Sequence, residues 1–157
     1  MKKYRAALAG LALTGLFAVP AAASPDGGGA GVGATGICTR LVNDAQTGLD
    51  RAFEARDLDK MMSFYDNDAT LINTFGGLRA GRDAIRTAFA GLFSSPFLST
   101  VTTTRTVVKD CNTAEVVQDF LLTDPSDGSS LHFINNITWT FEQFHWKVLF
   151  DQSTKLS

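Results

Sequence analysis

Of the 157 residues in this chain, the side chains best suited to proton transfer near neutral pH are its two histidines, His132 and His145. His132 lies in an alternating apolar run, whereas His145 falls at the edge of a hairpin turn and is expected to be solvated. Asp119 sits mid-run between Gln118 and Phe120. A carboxylate facing an apolar pocket has its pKa raised and can serve as acid or base. His132 and Asp119 are therefore the candidate catalytic residues. Each also has a purely structural reading: His132 as a surface or packing side chain, Asp119 as the partner of Arg105 on a neighbouring run. Asn73, just ahead of Gly76-Gly77, offers a donor and an acceptor to a bound carbonyl, or bonds its own turn instead. Tyr65 could present its hydroxyl to a ligand or stand as a core tyrosine with a satisfied tip. No spacing of His, Cys, Asp and Glu suits zinc, no Ser/His/Asp order stands out, and Gly76-Gly77 lacks the fingerprint of a phosphate loop. Neither a metal nor a cofactor is expected.

The elements that must position these residues follow from periodicity. From about Thr39 the pattern is helical, with Leu41, Ala45, Leu49, Ala52 and Phe53 on one side and Asp44, Asp50, Arg51 and Glu54 mostly on the other. Asp57 caps a second, short helix carrying Leu58, Met61, Met62, Phe64 and Tyr65, and Asp66-Asn67-Asp68 ends it as a turn. A short strand over 69–73 and a Gly-Gly turn lead to Gly81-Arg82-Asp83. That tripeptide opens a third helix, which buries Ala84, Ile85, Ala88, Phe89 and Leu92 and stops at Ser94-Ser95-Pro96. The period then changes to that of strands, over 98–109, 113–123, 131–141 and 145–154, all rich in Val, Thr, Ile and Phe. Short connections make these neighbours antiparallel. Helices first and long strands after predict an α+β domain, its helices packed on one face of a curved, mostly antiparallel sheet. Within 131–141, alternation puts His132, Asn136 and Thr138 on one face and Phe133, Asn135, Ile137, Trp139 and Phe141 on the other.

The ends and the composition bound the setting. Lys2, Lys3 and Arg5, an apolar run over 6–19 and Ala21-Ala22-Ala23 form a signal peptide, residues 1–23, with cleavage after Ala23. The apolar run is shorter than the roughly 20 residues that span a bilayer. Residues 24–37 read as a flexible Gly-rich leader, and 38–157 as one domain. The mature chain is expected to be secreted or periplasmic, without a membrane partner once the signal is removed. It keeps 11 basic against 16 acidic residues, a formal charge of −5 with no Lys/Arg cluster. Phosphate attraction dominates nucleic-acid affinity, so no nucleic-acid partner is expected. Two cysteines, Cys38 and Cys111, are an even count for an oxidising compartment. They are expected to pair, the alternative being two separate thiols. The twelve Phe point to a large aromatic interior. Long strands rich in Val, Thr and Phe also leave the outer sheet face too apolar for water, which predicts a homodimer through that face.

Asp57-Leu58-Asp59, the run Tyr65 to Thr70, Gly81-Arg82-Asp83-Ala84-Ile85 and the closing Trp146-Lys147-Val148 together resemble the SnoaL-like, nuclear transport factor 2-like superfamily, including its SgcJ/EcaC-type and ketosteroid-isomerase-like members. The resemblance implies a cystatin-like cone enclosing a pocket for a small hydrophobic molecule, with isomerase, cyclase or lyase chemistry in some members and none in others. Leu49, Phe53, Met62, Tyr65, Phe89 and Trp139 would line it, with Asn73 and His132 as polar groups. By the same resemblance the isomerase base falls on Asn73 and the oxyanion-donating tyrosine on Leu49, so neither group is present. On the closing strand, Phe150 and Gln152 occupy positions where relatives carry histidines, and alternation places Asp151 on the opposite face. The expected function is binding of a small apolar molecule, with acid/base chemistry as an extension. The alternative is a non-catalytic dimerisation or binding domain with a vestigial pocket.

Overall fold

A computed structural model describes residues 31–73 and 77–156. The expected signal peptide and the first part of the leader lie outside the described residues. Three helices, α1 (Gly31–Glu54), α2 (Leu58–Met62) and α3 (Arg82–Phe93), accompany six strands: β1 (Tyr65–Ile72), β2 (Leu78–Ala80), β3 (Leu98–Lys109), β4 (Thr113–Thr123), β5 (Ser130–Glu142) and β6 (His145–Lys155). The strands form one sheet in the order β2-β1-β6-β5-β4-β3. Only the β1–β6 pair is parallel. The helices lie on the concave face, giving the α+β, cystatin-like cone.

The first helix starts earlier than its apolar periodicity. Residues 31–37, expected to be part of a flexible leader, are its opening turns. Once a helix is nucleated, each added residue gains a hydrogen bond, so it runs on into weak formers. The Thr39 hydroxyl donates to the Thr35 carbonyl at 2.8 Å. A disulfide joins Cys38 to Cys111, in the turn between β3 and β4, with Cα atoms 5.5 Å apart. The buried stripe of α1 is Val42, Gln46, Leu49, Ala52 and Phe53, while Leu41 is exposed. At the far end of α1, Arg56 donates to the carbonyls of Phe93, Ser95 and Phe97 at 3.0–3.1 Å and stacks on the Phe97 ring.

Asp57 caps α2 by accepting from the Lys60 amide at 2.9 Å. Tyr65, expected on this helix, is instead the first residue of β1, and Asp66-Asn67-Asp68 lies inside that strand. Both differences have one cause. Tyr65 pairs with Val148 and the next registered pair is Thr70 with Phe150, so the residues between them bulge away from β6. Asp66 Oδ1 accepts from the Asp68 amide at 2.8 Å, a local turn held within a strand.

Two irregularities bend the long strands. One falls between Thr103 and Arg105 on β3. The other lies where β5 meets β6: Thr138 faces Phe150 and Trp139 faces Val148, leaving Leu149 as an extra residue in β6. The core between helices and sheet is aromatic. The Phe53 ring lies 5.3–6.2 Å from those of Phe89, Phe93, Phe97 and Phe120.

Candidate functional site

A cavity of about 270 Å³ opens between α1, α3 and the concave sheet face. Its walls are mostly apolar. Leu49 and Phe53 come from α1, Ala88, Phe89 and Leu92 from α3, and Phe120 and Phe133 from the sheet. Met61 reaches it from α2. Met62, expected there, is buried in the core one position further round that short helix. Trp139 is fully buried too, but it packs away from the cavity and donates its indole N–H to Gln46 Oε1 at 2.9 Å.

The polar groups of the cavity form three sets. In the first, the Tyr65 hydroxyl donates to Asp151 Oδ2 at 2.6 Å. Both residues are buried, and Asp151 Oδ1, also buried, has no hydrogen-bond partner among the described residues. Burial raises the Asp151 carboxyl to about 6 against the opposing pull of the Tyr65 hydrogen bond. Burial, and then the Asp151 charge, push the Tyr65 hydroxyl well above the usual tyrosine value. In the second set, Gln118 reaches from β4 to donate its amide to both Asp50 oxygens at 3.1 Å. Gln46 donates to Asp50 Oδ1 at 2.9 Å, so a hydrogen-bonded chain runs Trp139–Gln46–Asp50–Gln118. Burial raises the Asp50 carboxyl, with the two amides working against it. The third set comprises Asn135, which accepts from the Ser153 hydroxyl at 2.8 Å, and Asn73. Asn73 lines the cavity and also closes its own turn, its Oδ1 accepting from the Gly77 amide at 2.9 Å. Asn73 is thus a cavity-lining residue that is also bonded to its own turn.

His132 and Asp119 lie elsewhere. His132 Nε2 and Asp119 Oδ1 are 2.8 Å apart, but the two side chains are 44% and 45% exposed on the outer sheet face. Alternation dictates this. Gln118 and Phe120 on β4 and Phe133 on β5 face the cavity, so their neighbours face out. The same alternation, read from the sequence, already separates His132 from Trp139, and it excludes His132 as a polar group of the pocket. Asp119 pairs with His132 rather than with Arg105. Among the described residues, no three His, Cys, Asp or Glu gather as a metal site would require.

Asp151 is the cavity residue that strand alternation puts on the wrong side. Trp146 and Val148 are buried, which would send 150 and 152 inward. The extra Leu149 inverts the parity, so Asp151 and Ser153 face the cavity instead. Gln118 could have been found, since it shares a face with Phe120. Asp50, read as part of the outward face of α1, carried no such signal.

The profile of the SnoaL-like domain matches residues 46–147. The chain belongs to the SnoaL-like family. No curated protein matches it. Several solved structures share the fold of this SnoaL-like chain. A ketosteroid isomerase-like protein from Erwinia carotovora atroseptica superimposes with a TM-score of 0.68 at 15% identity, over 76% of this chain and 96% of that one. An NTF-2 like protein of unknown function from Shewanella oneidensis gives 0.65 at 21%, over 74% and 98%. An uncharacterized protein with a cystatin-like fold from Caulobacter vibrioides gives 0.68 at 13%, over 77% and 91%. At these identities the likeness is one of fold.

Proposed function

We propose that this SnoaL-like domain binds a small, largely apolar molecule in the cone cavity and that Asp151 transfers a proton to or from it. One observation carries the reading: a buried carboxylate in an aromatic cavity, held on one oxygen by Tyr65 and open on the other. A carboxyl raised to about 6 is poised for acid/base work near neutral pH. The cavity lies near the lower end of ligand pockets, roughly 300–1,000 Å³, which suits a compact occupant. Protein purified from its source organism is expected to release about one small molecule per chain on denaturation, read by mass spectrometry. Ala88→Phe, which fills the cavity, should empty it; a folded Ala88→Phe protein that keeps the molecule would refute binding at this site. Proton transfer is read by solvent-deuterium exchange into that molecule, expected for the native protein and lost in Asp151→Asn.

We also propose export and a homodimer. The Cys38–Cys111 disulfide favours an oxidising compartment, and among the described residues no helix is long and apolar enough to cross a membrane. N-terminal sequencing should find the chain starting after Ala23. Exposed Leu149 and half-buried Ile134 and Phe150 favour burial of the outer sheet face between two copies. Light scattering should then give twice the chain mass.

A further inference from the structure

The proposed binding reading leaves open what polar group the ligand carries, and the cavity's charge balance bears on it. Two carboxyl groups stand at this site: Asp151 in the wall, and Asp50 behind Gln118, close enough to act electrostatically on the Tyr65 hydroxyl that holds Asp151. Among the described residues, no Lys, Arg or His lines the cavity. A buried charge without a counter-charge is costly, and an unpaired buried oxygen adds to that cost. Among the described residues, Asp151 has a donor on one oxygen and none on the other, and it is 6% exposed, so water does little to relieve it. The rest of the wall presents the rings of Phe53, Tyr65, Phe89, Phe120 and Phe133, whose faces attract cations.

We propose that the ligand of this cavity carries a protonated amine on an apolar body, with the ammonium seated on the free oxygen of Asp151 and the body among the phenyl rings. This rests on the binding reading and narrows it to a ligand class. An ammonium supplies both the missing hydrogen bond and the missing charge. A hydroxyl supplies only the hydrogen bond. A carboxylate or phosphate meets two acidic groups and no cation. The order of preference is therefore amine, then alcohol, then acid.

Three probes of matched shape test it: 2-phenylethylamine, 2-phenylethanol and 3-phenylpropionate, titrated into the intact protein by calorimetry at fixed ionic strength. The amine is expected to bind at least tenfold more tightly than the alcohol at pH 7.5, and the acid not measurably. Asp151 faces Tyr65 on β1 and, beyond it, Asp50 on α1; α3, β4 and β5 present no ionisable group to the cavity. Amine affinity should accordingly rise between pH 5 and 7 as Asp151 ionises, while alcohol affinity stays flat. Asp151→Asn should erase the preference for the amine and keep alcohol binding. The wild-type pH profile decides the matter should that variant not fold. Equal binding of amine and alcohol, or a flat amine profile, overturns the amine inference and leaves the pocket reading standing. Failure of all three probes to bind overturns both.

Discussion

Two carboxylates of this protein sit on opposite faces of the same sheet, each within 2.8 Å of a polar ring partner. Asp119 meets His132 on the outer face, and Asp151 meets the Tyr65 hydroxyl on the inner one. The outer pair looks more like catalytic machinery, since it joins an acid to an imidazole. Water covers nearly half of each of its side chains, however, and an ion pair so exposed contributes at most about 1 kcal/mol. The inner pair uses a weaker donor but is almost entirely removed from solvent, and it is there that burial shifts the carboxyl to about 6. Desolvation, rather than the identity of the partner, is what sets the two carboxyls apart.

The largest test of that contrast is stability against pH. The Asp151 carboxyl has a folded-state value of about 6 against an ordinary 3.8, so between these values the native state binds more protons than the unfolded one. Its contribution therefore becomes more unfavourable as pH rises from about 4 to 6 and is constant above that. Asp151→Asn removes the cost. It should raise the unfolding free energy at pH 7.5 by roughly 1–3 kcal/mol, a gain that closes toward pH 4. Asp119→Asn should change it by no more than about 0.5 kcal/mol. Urea unfolding of both variants across pH checks this, and equal effects would abolish the distinction.

A smaller effect sharpens the inner pair alone. Among the described residues, Tyr65 is the one donor to Asp151, so Tyr65→Phe should move its titration midpoint above 6, followed by carboxyl carbon resonances. The accompanying loss at pH 7.5 is about 1–2 kcal/mol, the penalty for a buried acceptor left unsatisfied. A midpoint that falls instead would show that the hydroxyl does not hold the carboxylate.

The smallest expected effect concerns the far rim of the cavity. Steroid double-bond isomerisation should be absent from the native protein, because Asn73 cannot act as base. Asn73→Asp should add little, since Leu49 supplies no oxyanion donor and the Asn73 side chain is already committed to the Gly77 amide. A spectrophotometric assay on a β,γ-unsaturated ketosteroid reads both. Robust turnover in either protein would mean that the inner pair suffices for that chemistry.

The sequence spelled out the long strands and α3 because one period runs through most of each, the irregularities in β3 and β6 being local. Residues 98–109 and 113–123 are β3 and β4 to the residue. Asp57 could be recognised as a cap because its job is local. Elsewhere a local signal lost to a distant partner. Asp66-Asn67-Asp68 is turn chemistry, yet it sits as a bulge inside a strand whose residues on either side pair with β6. Asp151 was hidden by one residue, Leu149, since counting in twos cannot foresee a bulge imposed by a neighbouring strand. Leu49, Phe53, Phe89, Tyr65 and Asn73 were found in the cavity wall because fold resemblance carries shape. Asp50 was missed because a buried polar contact across 68 positions leaves no mark on its local pattern, whereas Gln118 was legible from the face it shares with Phe120.

The fastenings of α1 bear on how anything gets in or out. The helix is bolted covalently to the β3–β4 turn near one end through Cys38, and riveted near the other by the Arg56 fork on the 93–97 segment. A beam fixed at both ends does not swing. The α3 wall buries only Ile85 fully and closes the other side of the cavity. The cavity is therefore braced on both sides: α1 is tied at both ends, and the Arg56 fork also pins the last residue of α3 to it.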